Sequence, residues 1–83
     1  MKIVDQSSKL IIDDTNYDIA LKEDRHDSLY VISAVPVYGA QSELVLAIYP
    51  EKHQAERVFE NMIGNMALDT KVFSIKKREM GIL

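Results

Sequence analysis

Between Ser42 and Ala67 the apolar rhythm of the chain changes period. Leu44, Leu46 and Ile48 alternate with Glu43, Val45, Ala47 and Tyr49, the two-residue repeat of a strand. After Pro50 the apolar residues Ala55, Val58, Phe59, Met62, Ile63, Met66 and Ala67 recur at helical spacing. A strand that runs directly into an amphipathic helix commits the chain to mixed α and β structure. Proline suits the first helical position, and Glu51 suits the positive end of the helix dipole. No Ser, Thr, Asp or Asn stands ready to cap the start. Gly64 and Asn65 weaken the last turns, so the helix is expected to end between Ala67 and Asp69. Val58, Phe59, Met62 and Ile63 form its expected core face, with Arg57 opposite.

The other segments read as short strands between turns. Lys2 to Val4 and Lys9 to Ile12 flank Asp5-Gln6-Ser7-Ser8, side chains that favour a hairpin connection. Asp13-Asp14-Thr15-Asn16 is a second turn. Tyr17, Ile19 and Leu21 alternate with Asp18, Ala20 and Lys22, and Glu23-Asp24-Arg25-His26-Asp27 is a charged turn. Ser28 to Tyr38 is a long strand candidate, rich in β-branched and aromatic residues. Proline cannot donate to a ladder, so Pro36 predicts regular pairing from Leu29 to Ala34 and irregular pairing after it. Lys71 to Lys76 reads as a final strand with Val72, Phe73 and Ile75. The expected fold is α+β: an antiparallel β-meander, one amphipathic helix packed on one face, and a final C-terminal strand. Residues 1–83 make a single domain. Met80-Gly81-Ile82-Leu83 has no evident partner, so the tail from about residue 77 is a candidate for disorder.

A chain of 83 residues buries a thin core, and with no cysteine neither a disulfide nor a thiolate metal site can staple it. Oligomerisation is the remaining common support for so small a domain. The first residues lack the apolar core and cleavage site of a signal peptide, and no apolar run approaches the roughly 18–20 residues that span a bilayer. The expectation is a soluble, cytoplasmic protein. The net charge of −3 argues against a protein built mainly to neutralise phosphates. Charge is uneven: residues 1–42 carry four basic and seven acidic groups, and the rest is neutral.

Two strands are apolar on both faces. In the long strand Leu29, Val31, Val35 and Val37 oppose Tyr30, Ile32, Ala34 and Tyr38. In the next, Leu44, Leu46 and Ile48 oppose Val45, Ala47 and Tyr49. An antiparallel sheet with one wet face should alternate apolar with polar. One helix covers one face, so the other needs the N-terminal hairpin or a second molecule. The expectation is a homodimer with Tyr30, Ile32, Val45 and Ala47 near the centre of the interface. If the parity shifts by one residue, Leu29, Val31, Leu44 and Leu46 take their place.

The stretch Ala47-Ile48-Tyr49-Pro50-Glu51-Lys52-His53-Gln54-Ala55-Glu56-Arg57-Val58, together with Met1-Lys2-Ile3-Val4, resembles small proteins of phages and prophages of Firmicutes. Those proteins share a Met-Lys-Ile start, a strand ending in a small residue and tyrosine, and a helix carrying Ala-x-x-Val, matched here by Ala55 and Val58. Pro50 stands where they place a capping Ser or Thr, and the basic tail replaces an acidic one. The resemblance implies a bacterial or phage cytoplasmic origin and carries no mechanism.

Chemistry-bearing clusters are sparse. His26 lies among Asp24, Arg25 and Asp27, and His53 beside Lys52 and Arg57; two histidines on distant elements fall short of a zinc ligand set. Asp13, Asp14 and Asp18 lack the glycine and downstream glutamate of a calcium loop. Glu56 and Glu60 sit one helical turn apart on a polar face, an acid/base pair only in spacing. No nucleophile motif or phosphate-binding glycine loop is present. The expectation is a non-enzymatic protein without cofactor or metal that acts through protein contacts. The alternative is a nucleic-acid-binding regulator using Lys71, Lys76, Lys77 and Arg78, with Phe73 nearby to stack on a base.

Overall fold

A computed structural model describes residues 1–38 and 42–76. The fold is α+β: β1 (Lys2–Val4), β2 (Ile11–Asp13), a 3₁₀ turn (Asp14–Asn16), β3 (Tyr17–Asp24), β4 (Leu29–Pro36), β5 (Leu44–Tyr49), α1 (Lys52–Ala67) and β6 (Val72–Ser74). The tail from residue 77 lies outside the described residues.

The strands form two three-stranded sheets rather than one meander. β3, β4 and β5 make the expected antiparallel meander, in that order. The other sheet runs β2-β1-β6, with β1 antiparallel to β2 and parallel to β6. The final strand thus returns to the N-terminus, with Lys2 N donating to Lys71 O and Ile75 N to Val4 O. Both sheets and the helix share one core. Ile3, Ile12 and Ile75 come from the small sheet; Ile32, Ala34, Leu46, Ala47 and Tyr49 from the meander; Ala55 and Met62 from α1.

Turn chemistry fixes the first hairpin. Asp5 is buried, and its carboxylate accepts from Ser7 Oγ (2.6 Å), Lys9 N (2.9 Å) and Leu10 N (3.0 Å). Burial alone would raise its pKa. The hydrogen bonds from the Ser7 hydroxyl and the Leu10, Lys9 and Ser7 amides outweigh that and hold it below the ordinary carboxylate value.

Pro50 stands one position before the helix N-cap, Glu51, rather than inside the first turn. Glu51 makes no side-chain capping bond, in keeping with the missing Ser, Thr, Asp or Asn. The C-terminus is closed by a Schellman motif, with Thr70 N bonding Asn65 O and Asp69 N bonding Met66 O. Asp69 takes the left-handed conformation (φ 61°) where glycine is usual. Along α1, Ala55 and Met62 are buried and Val58, Phe59 and Met66 half-buried. Ile63, expected in the core face, is 49% exposed at the flank of the helix.

β4 pairs with β3 all the way to Pro36, which lies opposite Tyr17. Val37 N still donates to Asn16 O. Successive backbone groups point to opposite edges, so the missing Pro36 N–H falls on the β5 side, beyond the last β4–β5 pair. The irregularity lies earlier, on that side. Ile32 pairs with Ala47 and Ser33 with Val45, which leaves Leu46 as the extra residue of a bulge.

Candidate interaction surface

The bulge decides which side chains meet solvent. Val45 points away from the helix, Leu46 and Ala47 are both buried, Ile48 points away again, and Tyr49 is buried. Strict alternation fails at Leu46, so no set chosen by parity can hold across β5.

The expected interface set is corrected accordingly. Cross-strand partners share a face, and Ile19 and Tyr17 line a groove together with Phe59 and Met62 of α1. Ile19 pairs with Ala34, Leu21 with Ile32 and Glu23 with Tyr30, so Tyr30 and Ile32 lie on the helix side. Ile32 is 0% exposed and Ala47 2% exposed, and Tyr30 packs against the same core. Only Val45, at 50% exposure, is on the face away from α1. The shifted set also splits: Leu29 and Val31 point away from the helix, while Leu44 and Leu46 point toward the core.

On the face away from α1, β3 presents Asp18, Lys22 and Asp24, while the β4–β5 part remains mainly apolar. Val45 and Ile48 (38% exposed) stand on it beside half-buried Ala20, Leu29, Val31 and Val35. Lys22 crosses it to reach Glu43, Nζ to Oε2 at 2.7 Å. The Lys22 hydrogen bond is the main reason that Glu43 sits below its ordinary pKa. The N-terminal hairpin does not cover this face. Its buried residues Ile3 and Ile12 belong to the core that α1 shares.

The two outer edges of the meander differ. At β5, Gln6 N donates to Leu46 O (2.8 Å), and Gln6 Oε1 accepts from Ile48 N (2.9 Å). The donor fixes the amide orientation, and it leaves Gln6 Nε2 buried with no acceptor among the described residues. β3 has no strand on its outer side among the described residues. α1 packs over β4 and also touches β5 and β3. A groove of about 260 Å³ lies between α1 and β3, lined by Tyr17, Ile19, Phe59, Met62, Ile63 and Met66 together with Asp14 and Asp18.

Other sequence candidates have local structural roles. Asp13 accepts from Thr15 N (3.1 Å) and Thr15 Oγ1 (3.0 Å), capping the 3₁₀ turn. Asp14 pairs with the Met1 amine at 2.9 Å. Asp24 Oδ1 accepts from His26 N (3.1 Å) and Asp27 N (3.3 Å), which shapes the β3–β4 turn. His53 Nε2 lies 3.2 Å from Glu51 Oε2 on an exposed first turn. No group of three or more metal-binding side chains occurs among the described residues. Lys71 and Lys76 are exposed at opposite ends of β6, about 16 Å apart at strand rise, and Lys77 and Arg78 lie outside the described residues. Phe73 pairs with Ile3 and packs against the core. No described helix is long and apolar enough to cross a membrane.

Sequence alone could not find the groove or the unequal edges. Both depend on where α1 rests across the sheet and on a contact between Gln6 and β5, 40 or so residues apart. Comparison of the chain with protein-family models, curated proteins and solved structures gives no match.

Proposed function

We propose that the chain is a non-enzymatic interaction protein, an accessory factor of a phage, prophage or other mobile element, and that it works as a homodimer. The observation that carries the interaction role is the apolar sheet face around Val31, Val45 and Ile48, left uncovered by both α1 and the N-terminal hairpin. Apolar faces that no element of the fold protects commonly mark protein contacts. The mobile-element assignment and a cytoplasmic site of action rest on the resemblance of the helix entry and N-terminus alone.

Two measurements test this reading. Sedimentation equilibrium at about 100 µM should give a dimer mass, since a micromolar association is saturated there. A monomer at that concentration rejects self-association. A photo-crosslinking residue at Val45 should give discrete adducts in cells, while one at Arg57, on the exposed side of α1, should give none. Matching patterns at the two positions reject the sheet face as a binding surface. No shift of duplex or single-stranded DNA is expected at about 50 mM salt, given the net charge of −3. A shift lost on Lys71→Ala with Lys76→Ala would favour the nucleic-acid reading instead.

A further inference from the structure

We infer that two copies of the chain join through β3, edge to edge and antiparallel, about a two-fold axis at Ala20. The inference rests on the homodimer reading above and names the surface that makes it.

The edge is open and long. β3 runs for eight residues, and its outer side has no strand partner among the described residues. An unpaired strand edge is a template for another strand, and folds usually shorten, cover, bulge or charge such edges. β3 carries Asp18, Lys22, Glu23 and Asp24, so a second strand is admitted only in a register that pairs unlike charges. Here the other edge of the same sheet is covered by Gln6, and this one is not. Val37 N bonds Asn16 O, so alternation turns the backbone groups of Ile19 and Leu21 toward the free edge, where a second strand can bond them.

The side chains select one register. A two-fold axis perpendicular to the sheet keeps faces matched, so the axis must pass through a residue of β3. At Ala20, Asp18 stands opposite the partner's Lys22 and Lys22 opposite the partner's Asp18, giving two unlike-charge pairs on the face away from α1. An axis at Leu21 sets Asp18 against the partner's Asp24. At Lys22 or Asp18 it sets like charges directly together, and at Ile19 it pairs no charges. Opposite charges across a strand pair stabilise it and like charges oppose it. Asp18 is exposed, and the Lys22 ammonium has donors to spare beyond Glu43.

The helix side agrees with this register. It sets Ile19 opposite the partner's Leu21, which brings partner apolar groups to the open flank of the groove. Ile63 is exposed at that flank, and Phe59 and Met66 are only half-buried there. Pairing thus closes both the open edge of β3 and the flank of the groove beside it. The two sheets become one six-stranded sheet, and their apolar outer faces join into one platform.

The test uses the full chain, which has no native cysteine. Opposed residues in a non-hydrogen-bonded antiparallel pair have Cα atoms about 4.5 Å apart, within disulfide reach. Ala20→Cys should therefore form a disulfide-linked dimer with oxidised glutathione, and Ile11→Cys, exposed on the other sheet, should not. Asp18→Lys and Lys22→Asp should each weaken the dimer by about tenfold or more, because both symmetric pairs turn repulsive. The double exchange should restore it. A dimer insensitive to these changes and uncrosslinked at position 20 overturns the edge assignment and leaves self-association standing. A monomer at about 100 µM overturns both.

Discussion

At the β5 edge of the meander, Gln6 supplies a backbone donor and a side-chain acceptor within 3 Å of the strand. At the β3 edge eight residues run with no strand on their outer side among the described residues. Both edges are strands of one sheet, but β5 is apolar throughout, whereas β3 carries Asp18, Lys22, Glu23 and Asp24. The difference in cover comes from the small sheet. Its hairpin turn reaches β5, where Gln6 bonds the strand, and makes no such bond to β3 among the described residues. One edge is sealed by the fold itself, and the other is the edge that we propose a second copy pairs with.

The largest test of that asymmetry lies on α1. Met62 is fully buried over the sheet, whereas Ile63, its neighbour in sequence, faces the open groove. Met62→Ala should cost roughly 2–5 kcal/mol in urea titrations at low protein concentration, through lost burial and the cavity left behind. Ile63→Ala should cost less than about 1 kcal/mol under the same conditions. Equal losses would mean that the helix is centred on the sheet and that the two flanks do not differ.

The turn that carries Gln6 to β5 comes next. Asp5→Ala removes a charged acceptor of three hydrogen bonds, from Ser7 Oγ, Lys9 N and Leu10 N, which should cost about 1.5–3 kcal/mol. The pKa of Asp5 is lowered in the folded state. The unfolded chain therefore binds the proton more tightly, and the contribution is complete above the unfolded value of about 3.9. It is lost as the pH falls through the lower folded value. The gap between wild type and Asp5→Ala should be constant from about pH 6 to 8 and should narrow below about pH 4. A gap that is independent of pH would mean that the carboxylate acts only as packing.

Much of this arrangement was legible in the residues. The strand-to-helix switch at Pro50 and the turn clusters at Asp5 to Ser8 and Glu23 to Asp27 place the elements to within a residue or two, though β3 runs on through Glu23 and Asp24. Periodicity and turn chemistry are local signals, and those features are local. The division into two sheets is not, because the parallel pairing of β1 with β6 joins the ends of the chain. Face assignment failed for a different reason. A bulge at Leu46 leaves no mark in an apolar run, since Val45, Leu46 and Ala47 are all acceptable inside or out. That single extra residue separates Val45 from Ile32 and Ala47. Tyr30, Ile32 and Ala47 lie on the helix side because α1 covers the face that the expected interface occupied, and periodicity does not say which face of an apolar strand a helix takes.

A smaller effect is expected where the seal itself is cut. Gln6→Ala removes the side-chain acceptor of Ile48 N but keeps the backbone bond to Leu46 O. It also removes the buried Nε2 that has no acceptor among the described residues, which offsets part of the loss. The net cost should be about 0.5–1 kcal/mol. Hydrogen exchange is the sharper readout. The Ile48 amide should exchange faster in the variant, while the amides of Asp18 and Ala20, which face β4, should not change. Uniform acceleration across the sheet would show that Gln6 supports the whole domain rather than one edge.

The smallest effect belongs to the open side. Lys22 Nζ and Glu43 Oε2 approach to 2.7 Å across the outer face, but both side chains are well exposed. An exposed pair loses in side-chain entropy and screening most of what it gains in attraction. Lys22→Ala should therefore leave the urea midpoint of the monomer almost unchanged at pH 7. The lowered pKa of Glu43 gives the sign of the residue that remains: present above the ordinary carboxylate range, and lost as the pH falls through it. The same substitution removes both unlike-charge pairs from the two-fold at Ala20, so it should weaken dimerisation while sparing the fold. Lys22 thus separates the roles of the two edges. A large loss of monomer stability would make it a strut between β3 and β5, and an unchanged dimer would free β3 from the contact between copies.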